Sequence, residues 1–350
     1  MKKVLAVIMA SIMAFGLVAC SSSGSTTTAG AGGSSAANND AGNGGDDGGN
    51  GGGGSSSGEL IKVGIINNDP NESGYRTAND ADLQAMFTKE NGYDASFFYS
   101  LKNDEQIQQA QTFIQNEVDY LLLSAADVAG WDTVLQDAKD AGVKVILFDR
   151  TIDADPSLYE ASIVSDMAKE GQTAVEWLAG QNLSEYNIIH IQGAMGSAAQ
   201  QGRSGALEEK VNAEANWNIV MQQTGGWSAS DAQQIVQSVI DSGASFNVIY
   251  AENDDMAKGA VAALDAAGIS HGVGKDVIIM GFDCNKWALE ELLKQNWNYD
   301  GQCNPFQASY IDAIIKDIEA GKTPEKTIIM EEKGFDAATI KQEDVDKYGI

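Results

Sequence analysis

From Leu60 onward, short runs of β-branched and aromatic residues alternate with longer segments whose apolar positions recur at helical spacing. The runs 61–66, 95–99, 120–123 and 143–148 predict strands, and the segments 75–90, 104–116 and 128–141 between them predict helices. A second series follows, with strands over 187–191, 218–221, 246–251 and 277–281 and helices over 197–215, 229–242 and 254–267. Gly142, Gly243 and Gly268 stand just past three of the helix ends, where a left-handed cap favours glycine. Short buried strands separated by helices build a parallel sheet covered on both faces. Two such series therefore predict an α/β protein of two doubly wound, Rossmann-like lobes, each with its ligand-facing edge at the carboxyl ends of the strands.

The first 58 residues do not share this pattern. Lys2 and Lys3 precede an uncharged apolar run over 4–17, the order of a secretory signal and too short to span a bilayer comfortably. The run ends in Leu17-Val18-Ala19-Cys20, followed by Ser21, which resembles the lipobox of bacterial lipoproteins. That resemblance implies a signal peptide over 1–19, a lipid on Cys20, and anchoring on the extracytoplasmic face of a bacterial membrane. Of the 38 glycines, 14 lie between Ser21 and Gly58 together with 9 serines, and no bulky apolar side chain occurs there. Such a stretch cannot repay the entropy of ordering, so 20–58 is expected to be a flexible linker with a reach on the order of 34 Å.

The chain carries 22 Lys+Arg against 50 Asp+Glu, a net charge of −28, which excludes a nucleic-acid binder that works by neutralising phosphate. Residues 1–58 hold two lysines against three aspartates, so the acidity belongs to the lobes. A well-solvated exterior is the physical account of it. Three cysteines are too few and too scattered for a zinc cluster, and no Gly-rich phosphate loop of the Walker type occurs. No cofactor and no metal is expected.

Chemistry gathers where strands end. Asn67 to Arg76 follow the first strand, Ser124 to Trp131 the third, and Asp149-Arg150 close the fourth. In the second series Gln192-Gly193 leads to Arg203, Gly225-Gly226 to Trp227, Glu252 to Asn253-Asp254-Asp255, and Gly281-Phe282 to Asp283. Asp, Asn and Arg offer fixed acceptors and donors that grip neighbouring hydroxyls, and flat aromatic faces suit the C–H side of a sugar ring. The set fits an uncharged polyol. Asn253, Asp254 and Asp255 also suit a plain helix start, and Trp177, Trp217 and Trp297 fall in patterns that predict packing.

These segments, in this order over residues 60–335, resemble the type I periplasmic sugar-binding proteins of ABC importers, within the ribose-binding group and closest to its galactofuranose-binding members. The resemblance implies lobes over 59–163 plus 304–330 and over 164–303 plus 331–350, joined by three crossover segments and closing over one monosaccharide by a hinge motion. It implies ligand contacts from Tyr75, Arg76, Asp149, Arg150, Arg203, Asn253 and Asp283, a stacking Trp227, and Trp131 as a mark of the galactofuranose subgroup. Its hinge contact falls on Gln302, with Asn304 as rival. Cys284 and Cys303 adjoin positions that the family brings to one end of the cleft, so a disulfide is a candidate in an exported chain, against two buried thiols. The implied function is capture of a furanose aldose or a pentose by a monomer, without chemistry, and its delivery to an ABC permease. A sensor presenting the sugar to a chemoreceptor or kinase is the alternative, and an enzyme using carboxylates such as Asp149 and Asp283 on a glycoside is third.

Overall fold

The computed structural model describes residues 59–350; the expected signal peptide over 1–19, the expected lipid-bearing Cys20 and the expected linker over 20–58 lie outside the described residues. The first series runs β1 (Ile61–Asn67), α1 (Gly74–Met86), β2 (Tyr93–Tyr99), α2 (Asn103–Gln115), β3 (Tyr120–Leu123), α3 (Asp132–Ala141), β4 (Lys144–Asp149) and β5 (Ala161–Val164). The second runs α4 (Met167–Ala179), β6 (Tyr186–Gln192), α5 (Ala198–Ala213), β7 (Trp217–Thr224), α6 (Ala229–Ser242), β8 (Val248–Ala251), α7 (Asp254–Ala267), β9 (Ile278–Asp283), α8 (Lys286–Leu293) and β10 (Tyr299–Gln302). The chain then returns to the first sheet with α9 (Ala308–Glu319) and β11 (Thr327–Ile329), and to the second with β12 (Gly334–Asp336) and α10 (Gln342–Tyr348).

The strand orders β11-β5-β4-β3-β1-β2 and β12-β10-β9-β8-β6-β7 make two six-stranded sheets. Every pairing among the described strands is parallel except β10 with β12. The two doubly wound lobes expected from the alternating pattern are present. The chain passes between the sheets three times, after β5, after β10 and after β11. Central strands such as Tyr120–Leu123 and Val248–Ala251 are buried along their whole length, as strands covered on both faces must be.

Helix ends follow local chemistry. Ser73, Asp166, Ser197, Ser228 and Asn253 cap five helices by accepting a backbone N–H, and Gly142, Gly243 and Gly268 take left-handed caps at φ 80°, 73° and 69°. Sequence pattern did not show β5, β10, β11 or β12. Each is three or four residues long, and β10 reads Tyr-Asp-Gly-Gln, whose Asp300 is buried by its neighbours rather than by its own hydropathy.

Packing of α6 on α7 depends on Gly259. A Cβ there would lie 1.9 Å from the carbonyl oxygen of Ala229, so the helices must part to admit one. Gly259→Ala is expected to cost about 1–3 kcal/mol of stability through overpacking, read as a lower urea midpoint at unchanged slope. An unchanged midpoint would show that the two helices are free to slide.

Candidate functional site

The carboxyl ends of the two sheets face one cleft, and one pocket there, with about 300 Å³ of empty space, is lined from both lobes. From the first lobe come Glu72, Ser73, Tyr75 and Arg76 at the start of α1, and Asp149 and Arg150 at the end of β4. The second lobe contributes Arg203 from α5, Trp227 after β7, Asn253 after β8 and Asp283 at the end of β9. Met167, Ala199 and Cys303 complete the wall.

Asp149 is the hub of the first half. Its Oδ2 accepts from Arg76 Nη2 at 2.7 Å and from Ser124 Oγ at 2.7 Å, and its Oδ1 accepts from the Tyr75 hydroxyl at 2.8 Å. Burial alone would raise its carboxyl, but Arg76 and Arg150, with the Ser124 hydroxyl, hold it below the usual carboxylate range. Glu72 Oε2 stands 3.5 Å from Arg76 Nε and 3.8 Å from Arg150 Nη2, linking both guanidinium groups.

Arg203 organises the second half. Its Nε donates to Glu170 Oε2 at 2.8 Å, Nη1 to the Glu252 carbonyl, and Nη2 to Asp283 Oδ1 at 3.3 Å. Burial pushes the Asp283 carboxyl well up, and Arg203 opposes that shift. Asn253 spends its Oδ1 on the Met256 N–H as the α7 cap, leaving its buried Nδ2 without a protein partner. Trp227 is 4% exposed, its Nε1 also has no protein partner, and Arg150 lies 5.9 Å from its ring centre. Asp149, Trp227 and Asp283 all have positive φ, at 65°, 69° and 108°. Such backbone in residues with a Cβ is strained, and it concentrates where ligands are gripped.

The pocket thus sets three guanidinium groups against three carboxyl groups, with Tyr75, Trp227 and Met167 as its less polar surfaces. Balanced charge gives no net attraction for an ion. Spare N–H donors and carboxylate lone pairs remain for a neutral molecule rich in hydroxyls.

Eight of the ten expected contact residues line this pocket; Trp131 and Gln302 do not. Trp131 is fully buried under the first lobe, donating its Nε1 to the Asp127 carbonyl at 2.9 Å and packing in an apolar cluster. Gln302 lines a different cavity behind the cleft. Side chains alternate along β10, so the next residue, Cys303, takes the pocket side instead. Asn304 is not in the wall either; its Oδ1 accepts from the Phe306 N–H.

The candidate disulfide is absent: Cys284 and Cys303 are free, buried thiols. They face different neighbours, Cys303 lying 3.6 Å from Ser165 Oγ and Cys284 bonded to Asp300. Met167 and Ala199 carry no signal of a pocket in the sequence, being apolar residues at segment starts, and Cys303 is singled out there only as a disulfide candidate near one end of the cleft. Glu72 and Ser73 fall in the polar segment after the first strand, but nothing in the sequence gives them a separate role. Trp217 and Trp297 are core residues, and His190 pairs with Glu252 at 2.8 Å inside the second lobe.

Residues 25–312 match the family model described as periplasmic binding protein domain. The fructose import binding protein FruE of Bifidobacterium longum is 32% identical over 288 residues, which is 80% of this chain and 86% of that protein. The galactofuranose-binding protein YtfQ of Escherichia coli is 29% identical, covering 69% of this chain and 77% of its own. A Mycobacterium smegmatis protein solved in complex with β-D-fucofuranose superposes with a TM-score of 0.74 at 30% identity, over 80% of this chain and 92% of that one. With a model match over most of its length and a relative above 30% identity, this chain belongs to the periplasmic binding protein domain family.

Proposed function

We propose that this protein captures one monosaccharide, a furanose aldose such as galactofuranose or a pentose, and hands it unaltered to an ABC permease. The observation that carries the reading is the pocket between facing sheet ends, in which Arg76, Arg150 and Arg203 stand against Glu72, Asp149 and Asp283 beside Trp227. Relatives named for fructose and galactofuranose, and a structural neighbour holding a fucofuranose, support a furanose ring. Micromolar affinity requires about −8 kcal/mol. A few charge-assisted hydrogen bonds of roughly 1.5–3 kcal/mol each, with ring stacking, supply that after ordering costs. The contact set we assign is Tyr75, Arg76, Asp149, Arg150, Arg203, Trp227, Asn253 and Asp283. We further assign export by the segment 1–19, a lipid anchor at Cys20, the linker 20–58 as its tether, lobes dividing at 163/164, 303/304 and 330/331, and a monomeric state.

Calorimetry against galactofuranose, arabinofuranose, fructose and ribose, with native mass spectrometry of gently purified protein, tests the reading. A neutral sugar bound at one per chain is the expected result. Binding of none of them, or recovery of a chemically altered sugar, overturns it.

A further inference from the structure

Each of the three passages between lobes contributes one side chain to a single cluster behind the pocket. Glu170 stands in the first turn of α4 just after the first passage, Cys303 opens the second, and Glu332 lies in the third. Their ligand-type atoms all lie within 4.8 Å of one another. Glu170 gives Oε2 to Arg203, but its buried Oε1 has no partner. Glu332 Oε1 accepts from Ser165 Oγ at 2.7 Å and from the Asn304 N–H at 2.6 Å, so it already touches the other two passages.

Two ionised carboxylates at this separation repel, and a buried carboxylate oxygen without a donor is costly. One proton removes both difficulties. We propose that Glu332 is a protonated carboxyl that donates to Glu170 Oε1, closing the three passages on one shared proton and positioning Arg203 in the pocket through Glu170. Burial, with the Glu170 charge, pushes the Glu332 carboxyl up to about 9, against the pull of the Asn304 N–H, Ser165 and Arg203. Burial raises Glu170 as well, with Arg203 opposing. The other groups facing the pair are the Cys303 thiol, which burial also raises, Asp283 beyond Arg203, and Tyr299. A cavity partly open to solvent, with Asp166, Lys169, Glu331 and Lys333 in its wall, reaches both Glu170 and Glu332 and gives the proton its route.

The sign follows from the raised carboxyl. The joint is intact while the proton is held and is lost as pH rises through about 9, so the closed form weakens on the alkaline side. Sugar affinity, which rests on the function proposed above, is measured from about pH 7 to pH 10 and should fall by about tenfold, one pKa unit of linkage. Glu332→Gln offers a permanent neutral donor to Glu170 and an acceptor to Ser165 and Asn304, so its affinity should be level across that range. In sugar-free protein, the Glu332 carboxyl carbon followed by NMR should titrate about one unit below the value near 9 of the closed form, far above the ordinary value of about 4.3. Titration in the ordinary range, an alkaline fall of equal size in Glu332→Gln, or a stoichiometric metal ion found on elemental analysis overturns the shared proton. If no sugar binds, the assigned function fails, and the NMR titration still decides the proton.

Discussion

Replacing Asp149 with alanine weakens sugar binding by at least about 2 kcal/mol, roughly thirtyfold. The carboxylate holds Arg76, Ser124 and the Tyr75 hydroxyl at once, each within 2.8 Å. Without it the Arg76 guanidinium, only 1% exposed, keeps Asn67, Asn79 and Ser124 as neutral partners and, apart from Glu72 at 3.5 Å, has lost its counter-charge. Removing one partner of a buried pair is costly because the other is left behind, so fold stability falls together with affinity. Asp149→Asn separates the two effects. It keeps the shape but is neutral and offers one acceptor oxygen where two are used, so affinity should still fall while only the stability lost to the cavity returns. Calorimetric titration beside thermal unfolding distinguishes these outcomes, and wild-type affinity in both variants would remove Asp149 from the site.

The same residue shows how far the sequence is legible. Asp149-Arg150 stands out because charge directly after an apolar run violates simple turn chemistry, and the strand end then puts it on the ligand side. Arg203 and Asn253 are legible for the same reason, although Asn253 serves the α7 cap as well. Legibility fails where burial comes from partners distant in sequence. Trp131 is expected at the site only through the resemblance, as a mark of the galactofuranose subgroup, and the packed lobe instead holds its indole on the Asp127 carbonyl. At Gln302 and Cys303 the error is one step of strand alternation, which turns one residue to the rear cavity and the next to the pocket. The strand β10, which ends at Gln302, is four residues long and mostly polar, so no periodicity is available to set its phase. The cluster of Glu170, Cys303 and Glu332 is invisible for a stronger reason: its members are brought together by three separate passages of the chain.

Gly74→Leu should hold the lobes apart and lower sugar affinity by about a hundredfold, near 2.7 kcal/mol. Gly74 is the first residue of α1, and its N–H donates across the cleft to Asp255 Oδ2 at 3.0 Å. A Cβ at this position would lie 1.9 Å from Asn285 Oδ1 and 2.8 Å from its Cγ, atoms of the opposite lobe. Asn285 is not free to swing aside, because its Nδ2 and backbone N–H both donate to Asp254 Oδ2, at 3.1 and 2.8 Å. The three atoms nearest the position all belong to Asn285, so the clash falls on closure, and the variant's unliganded stability should stay within about 0.5 kcal/mol of the parent. The defect is then one of closure. Small-angle scattering should show the parent contracting at saturating sugar and Gly74→Leu failing to contract at the same occupancy. Asp255→Asn provides the graded comparison, since it keeps the space and weakens one hydrogen bond, at a cost of about 1 kcal/mol. Normal contraction and affinity in Gly74→Leu would mean that the lobes meet differently around the sugar, and the Gly74–Asp255 contact would then have no part in retaining it.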